Sequence, residues 1–169
     1  MFAVNSAFDI RSNCVRISAD IKGRGLQFQG SGVIYPLKPE TGYDYVLTAQ
    51  HILKEGEAKL EQKIDKIGQI QIDLFENGSF TPYKTIEKDD IAKSLVPIGD
   101  DFLIIRIAQG GKDFSNFLLA EDLIEEKPLR LYGISREAQD VLTPLECKCV
   151  DERAEMVHIV DAVDDMDSL

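Results

Sequence analysis

Cysteine and histidine are scarce in this chain, and it has neither a long apolar run nor a basic cluster. Its three cysteines, Cys14, Cys147 and Cys149, are an odd number and cannot close into a complete disulfide framework. Read as alternate residues of one strand, Cys147 and Cys149 point to the same face without geometry that favours a bridge. Reduced thiols in a cytoplasmic protein are therefore expected. A zinc site would need a second ligand pair, and His158 stands alone, so neither a metal nor another cofactor is expected. The opening Met1-Phe2-Ala3-Val4-Asn5-Ser6-Ala7-Phe8-Asp9 lacks the basic and uninterrupted apolar regions of a secretion leader. No later apolar run approaches the roughly 20 residues that span a bilayer, so a soluble chain without a membrane partner is expected. Positive charge is in deficit as well: 19 Lys and Arg face 30 Asp and Glu, a net charge of −11. Such a chain repels phosphate backbones and anionic lipid, which argues against nucleic acid as a partner.

What is present is apolar material enough for a real core, 44% of 169 residues, distributed in short runs. Val15, Ile17, Ala19 and Ile21 alternate with polar residues, and Leu26 and Phe28 lead through Gly30-Ser31-Gly32 into Val33-Ile34-Tyr35. Further strands are expected from Tyr43 to Leu47 and at Ile70, Ile72 and Leu74, where Asn77-Gly78 supplies the positive φ angles of a hairpin turn. Phe102 to Ile107, Leu129 to Tyr132, Val141 to Cys149 and Met156 to Val163 complete a pattern of short strands and turns. That pattern reads as an all-β barrel or sandwich. Helix signals are few: Leu60, Ile64 and Ile67 have helical spacing, and Ala120 to Glu126 has room for a turn or two. The acidic end, Asp161, Asp164, Asp165 and Asp167, reads as solvated chain.

One of only two histidines, His51, closes the apolar segment Tyr45-Val46-Leu47-Thr48-Ala49-Gln50-His51. An imidazole at the rim of a rigid strand is where a general base has to stand. Gly30-Ser31-Gly32-Val33-Ile34, a turn around Pro39 to Gly42, and then Leu47-Thr48-Ala49-Gln50-His51 resemble the chymotrypsin/trypsin-like serine protease family. In that family a Gly-Ser-Gly strand leads to a second strand ending Leu-Thr-Ala-Ala-His. Gln50 departs from it, standing where the family usually has a small residue. Asp101-Phe102-Leu103-Ile104-Ile105-Arg106-Ile107 resembles the family's Asp-x-Ala-Leu-Leu-x-Leu. Asp100 competes for the same role, but the family's aspartate directly precedes its strand, as Asp101 does. The resemblance implies a trypsin-like double β-barrel, the first barrel complete over 1–118 and the second incomplete over 119–169. It also implies a triad in which Asp101 orients His51, and His51 takes the proton of a serine.

The family's Gly-x-Ser-Gly is missing. Pro128 to Ile134 resembles the start of the second barrel, and Val157 to Ala162 the strand that leads to the nucleophile loop. Ser168 follows Asp167 as in the motif, but Met166 stands where a Gly is due, and Ser115, Ser135 and Cys147 lack the context. A Gly-x-Ser-Gly is expected within roughly ten residues beyond Leu169, because such connections are short. The resemblance thus implies a serine-type endopeptidase acting on peptide or protein, or a segment of one, inactive until a further segment or chain completes the second barrel. The alternatives are a catalytically inactive trypsin-fold binding or scaffolding module, and a plain β-barrel domain with chance matches.

Overall fold

The computed structural model describes residues 10–35, 41–54, 59–114, 128–134, 139, 142–153 and 157–162. The described residues are mostly antiparallel β, as the alternating pattern predicts. β1 (Cys14–Ile21), β2 (Leu26–Tyr35), β3 (Tyr43–Ala49), β4 (Ile67–Glu76) and β5 (Ser79–Glu87) precede a short helix, α1 (Lys88–Ser94). β6 (Leu95–Ile98) and β7 (Phe102–Ala108) follow, and together the seven form one antiparallel sheet in the order β5-β4-β1-β2-β3-β7-β6. β8 (Pro128–Gly133), β9 (Thr143–Arg153) and β10 (Val157–Ala162) make a separate three-stranded sheet. Among the described residues no helix is long and apolar enough to cross a membrane.

Chain connectivity forces the large sheet to curl. Its two outermost strands, β5 and β6, are joined by nothing but the seven residues of α1. A helix of that length spans about 10 Å, whereas the outer strands of a flat seven-stranded sheet would stand about 29 Å apart. Register shifts at Ile17/Ser18, Asp20/Ile21 and Ile72/Asp73 add the local twist that the curl needs. The inward residues of each strand then meet in one core. Val15 and Ile17, Ile34, Val46, Ile70 and Ile72, and Leu103 and Ile105 are all fully buried, with Leu53, Leu60 and Ile91 covering the ends. On the outer face of β1 and β4, buried Asp73 accepts from Arg16 Nε at 2.9 Å and from Gln71 at 2.7 Å.

A polar latch holds the curl where the sheet edges approach. The bulge at Ile72/Asp73 leaves Tyr83 without a cross-strand partner and frees it to reach across. Its hydroxyl donates to Asp44 Oδ2 on β3 at 3.3 Å and accepts from the Gly110 amide beyond β7 at 3.1 Å. A Cβ at Gly110 would lie 2.4 Å from that hydroxyl, so the close approach requires glycine there. Asp44 is 4% exposed, and burial raises its carboxyl pKa against the opposing pull of the Tyr83 hydrogen bond and the Lys84 charge.

Most expected strands are present. The hairpin turn at Asn77-Gly78 has φ of 52° and 84°, as its sequence requires. Two differences stand out. The helical spacing of Leu60, Ile64 and Ile67 makes no α-helix: the chain forms 3₁₀ turns at Leu60–Gln62 and Ile64–Lys66, and Ile67 opens β4. Leu60 and Ile67 are anchored in the core while the charged residues between them face solvent, so nothing holds a longer helix. β5, α1 and β6 were not expected from the sequence. The Ala120 to Glu126 segment lies outside the described residues.

Tyr83→Phe removes the donor to buried Asp44 and is expected to cost about 1–3 kcal/mol. It should also push the Asp44 pKa further up. Urea unfolding and carboxyl ¹³C titration check both, with Thr85→Ala on the same strand as a control that should cost under about 0.5 kcal/mol.

Candidate active site

The antiparallel pairing of β3 with β7 decides where His51 and Asp101 go. Tyr43 lies opposite Ala108 and Ala49 opposite Phe102. The end of β3 and the beginning of β7 therefore coincide, and the residues just past one and just before the other share a sheet end. Fifty positions of sequence between them close to hydrogen-bond distance.

Two glycines bring the neighbouring strand close. A Cβ on Gly32 of β2 would lie 2.9 Å from the Leu47 carbonyl of β3, and one on Gly30 would lie 2.8 Å from Cγ2 of Ile52. The side chain of Ile52 thus lies over Gly30, in the 3₁₀ turn Gln50–Ile52 that carries His51. The Gly-Ser-Gly of the sequence has a packing reason here: two missing side chains let β2 back the turn. Thr48 Oγ1 donates to the Ser31 carbonyl at 2.8 Å and ties the same strands together.

Asp101 holds His51 with both carboxylate oxygens. Oδ1 accepts from the His51 backbone amide at 2.8 Å, and Oδ2 lies 2.7 Å from Nδ1 of the ring. An ionised carboxylate can only accept, so the proton between them belongs to Nδ1. Nε2 of the neutral ring is then an open lone pair, and it meets no hydrogen-bond partner among the described residues. The His51 and Asp101 side chains are 66% and 50% exposed, which puts the pair on a rim that solvent and a ligand reach. Lys54 Nζ stands 4.0 Å from Asp101 Oδ1 and donates to the Asp100 carbonyl at 3.4 Å. The hydrogen bond from the His51 ring is the largest effect and lowers the Asp101 pKa; desolvation opposes it, and the His51 amide and the Lys54 charge lower it further by smaller amounts.

A cleft of about 590 Å³ opens beside the ring. Phe28, Gly30, Ser31 and Ile52 form part of its wall, and Arg24 and Lys54 stand at its margin. Phe102, next to Asp101 in the chain, pairs with Ile98 across β7 and β6, and the two are 44% and 46% exposed.

Of the residues singled out in the sequence, His51 and Asp101 meet, and the carboxylate in contact with the ring is that of Asp101 rather than Asp100. Ser115, Ser135 and Ser168 lie outside the described residues. Cys147 is on β9, the central strand of the small sheet, and Cys14 is buried in β1. Lys54 was missed; a lysine three positions after the histidine gives no signal until the turn brings it back onto Asp101. Comparison with known proteins adds no relative, since no family model and no curated protein matches the chain.

Because the Asp101 pKa is lowered on folding, its contact contributes stability above the ordinary carboxylate range. That contribution is lost as the pH falls through the lowered value, and it is small because solvent reaches both side chains. His51→Ala should return the Asp101 pKa toward its ordinary value of about 3.9, read from carboxyl ¹³C shifts. An unchanged titration in that variant would contradict the contact.

Proposed function

We propose that the chain is a trypsin-like serine endopeptidase, or the segment of one that lacks its nucleophile, with a first barrel over 1–118 and part of a second over 119–169. The observation that carries the reading is the two-oxygen grip of Asp101 on His51. One oxygen fixes the carboxylate against the backbone, and the other is thereby aimed at Nδ1. Held this way, the ring offers Nε2 to a substrate-side proton and nothing else.

In the proposed reaction Nε2 takes the proton of a serine hydroxyl while the serine oxygen bonds to the peptide carbonyl carbon. The imidazolium that forms is stabilised by Asp101. It returns its proton to the departing amine as the C–N bond breaks, leaving an acyl-enzyme that water hydrolyses by the same exchange. The cleft beside His51 has room for the peptide chain on one side of the scissile bond, and the exposed Ile98–Phe102 pair offers apolar contact. In this reading the serine and the oxyanion hole come from the Gly-x-Ser-Gly that this sequence lacks. Without them hydrolysis should be unmeasurable, since those groups supply most of the rate enhancement.

The test is covalent labelling by a fluorophosphonate. Protein produced from the coding sequence carried past residue 169 to include a Gly-x-Ser-Gly should be labelled, and the 169-residue chain should not. His51→Ala in the longer protein should slow labelling by about a hundred- to ten-thousandfold, the usual worth of a general base. Labelling that survives His51→Ala unchanged would remove His51 from the mechanism. A coding sequence without the motif would instead favour a non-catalytic binding module.

A further inference from the structure

The departure at Gln50 is the feature of the site that the triad reading leaves unused. Gln50 is 4% exposed, buried beneath the imidazole-bearing turn. Its Nε2 donates to three carbonyls: Gly99 at 3.1 Å, Phe102 at 3.1 Å and Ile98 at 3.5 Å. Gly99 opens the connection between β6 and β7, and Ile98 and Phe102 are the strand ends that flank it, so all three bracket the segment that presents Asp101. Its backbone is committed to the same junction. The Gln50 amide donates to the Asp101 carbonyl, and its own carbonyl accepts from Leu53 at 3.0 Å and Lys54 at 3.2 Å, closing the turn that carries His51.

The β6–β7 connection, residues 99–101, is also held by the Ile98–Phe102 strand pairing that closes it and by Lys54 Nζ on the Asp100 carbonyl, and Gln50 adds side-chain donors from its buried side. Gly99 sits at φ of +56°, in the left-handed region, and adjacent Asp100 and Asp101 are both exposed. A residue 50 as small as the family's usual one would remove these side-chain hydrogen bonds. A short side chain could not reach the carbonyls, whereas a glutamine amide spans the gap with two N–H groups.

We infer that Gln50 is a positioning residue: its side-chain amide sets the β6–β7 connection and so places the Asp101 carboxylate on Nδ1 of His51. The inference rests on the reading of His51 and Asp101 as base and orienting carboxylate. It explains why this chain uses a long polar residue beneath its histidine. Gln50 acts through Asp101 and touches no reacting atom.

The experiment reads the His51 ring directly in the 169-residue protein, so it does not depend on labelling or hydrolysis. With Asp101 in place, ¹⁵N and ¹H spectra should show the Nδ1–H form of neutral His51, with a low-field Nδ1–H resonance. Gln50→Met keeps the length and removes the donors. It should lose that resonance and shift His51 toward the Nε2–H form that an unassisted imidazole favours, while the methyl signals of Ile17, Ile34 and Ile72 stay in place. Gln50→Met with a native core and an unchanged Nδ1–H signal overturns the inference. Should Gln50→Met fail to fold, the unmodified chain decides: the Gln50 side-chain amide protons should exchange more slowly than those of exposed Gln62. Equal exchange rates would overturn the inference. Either negative result leaves the His51 labelling test independent, so failure of this inference and failure of the protease reading can be told apart.

Discussion

The pairing of β3 with β7 is the constraint on which the rest depends, because one register sets both ends of the molecule's polar chemistry. Where β3 ends and β7 begins, Ala49 opposite Phe102 delivers His51 and Asp101 to one rim. Where β3 begins and β7 ends, the same ladder brings Asp44 and Gly110 under the Tyr83 hydroxyl. A one-residue slip of β7 against β3 would exchange the inward and outward faces of β7, exposing Ile105, and would carry Asp101 and Gly110 away from His51 and Tyr83. The apolar core therefore specifies the site indirectly: burial of alternate residues fixes the register, and the register fixes the carboxylates.

Those two carboxylates have opposite environments and opposite shifts. Asp44 is enclosed, and desolvation raises its pKa; Asp101 is half in water, and its donors lower its pKa. The stability associated with protonated Asp44 is present at low pH and is lost as the pH rises through its raised value. For Asp101 the order is reversed, with the contribution lost as the pH falls. The two carboxylates do different structural work: a buried one holds a strand edge, whereas an exposed, ionised one keeps a neighbouring imidazole in a single tautomer.

Much of this was legible in the sequence because alternation and spacing are local signals. Val15, Ile17 and Ala19, or Leu103, Ile105 and Ile107, announce strands by period, and Asn77-Gly78 announces its hairpin. His51 and Asp101 were legible because one follows the end of an apolar strand by two residues and the other directly precedes one. β5 was hidden by Pro82, which a central strand rejects but an edge strand tolerates. α1 was hidden because seven residues with one buried side chain, Ile91, carry too little periodicity. The spacing of Leu60, Ile64 and Ile67 misled for the converse reason: it imitates a helix while two of its residues anchor separate turns. The roles of Gln50, Lys54 and Tyr83 could not be read at all. Each acts across the sheet on residues at least 27 positions distant, through contacts that exist only once the curl has formed.

The central claim is that Asp101 occupies Nδ1 of His51 and leaves Nε2 open as the base. Alkylation of the 169-residue protein with iodoacetamide, with the position of the modification on the His51 ring assigned by NMR, tests it most directly. The account predicts that His51 is modified at Nε2. Modification at Nδ1, or an even mixture of the two, would contradict it.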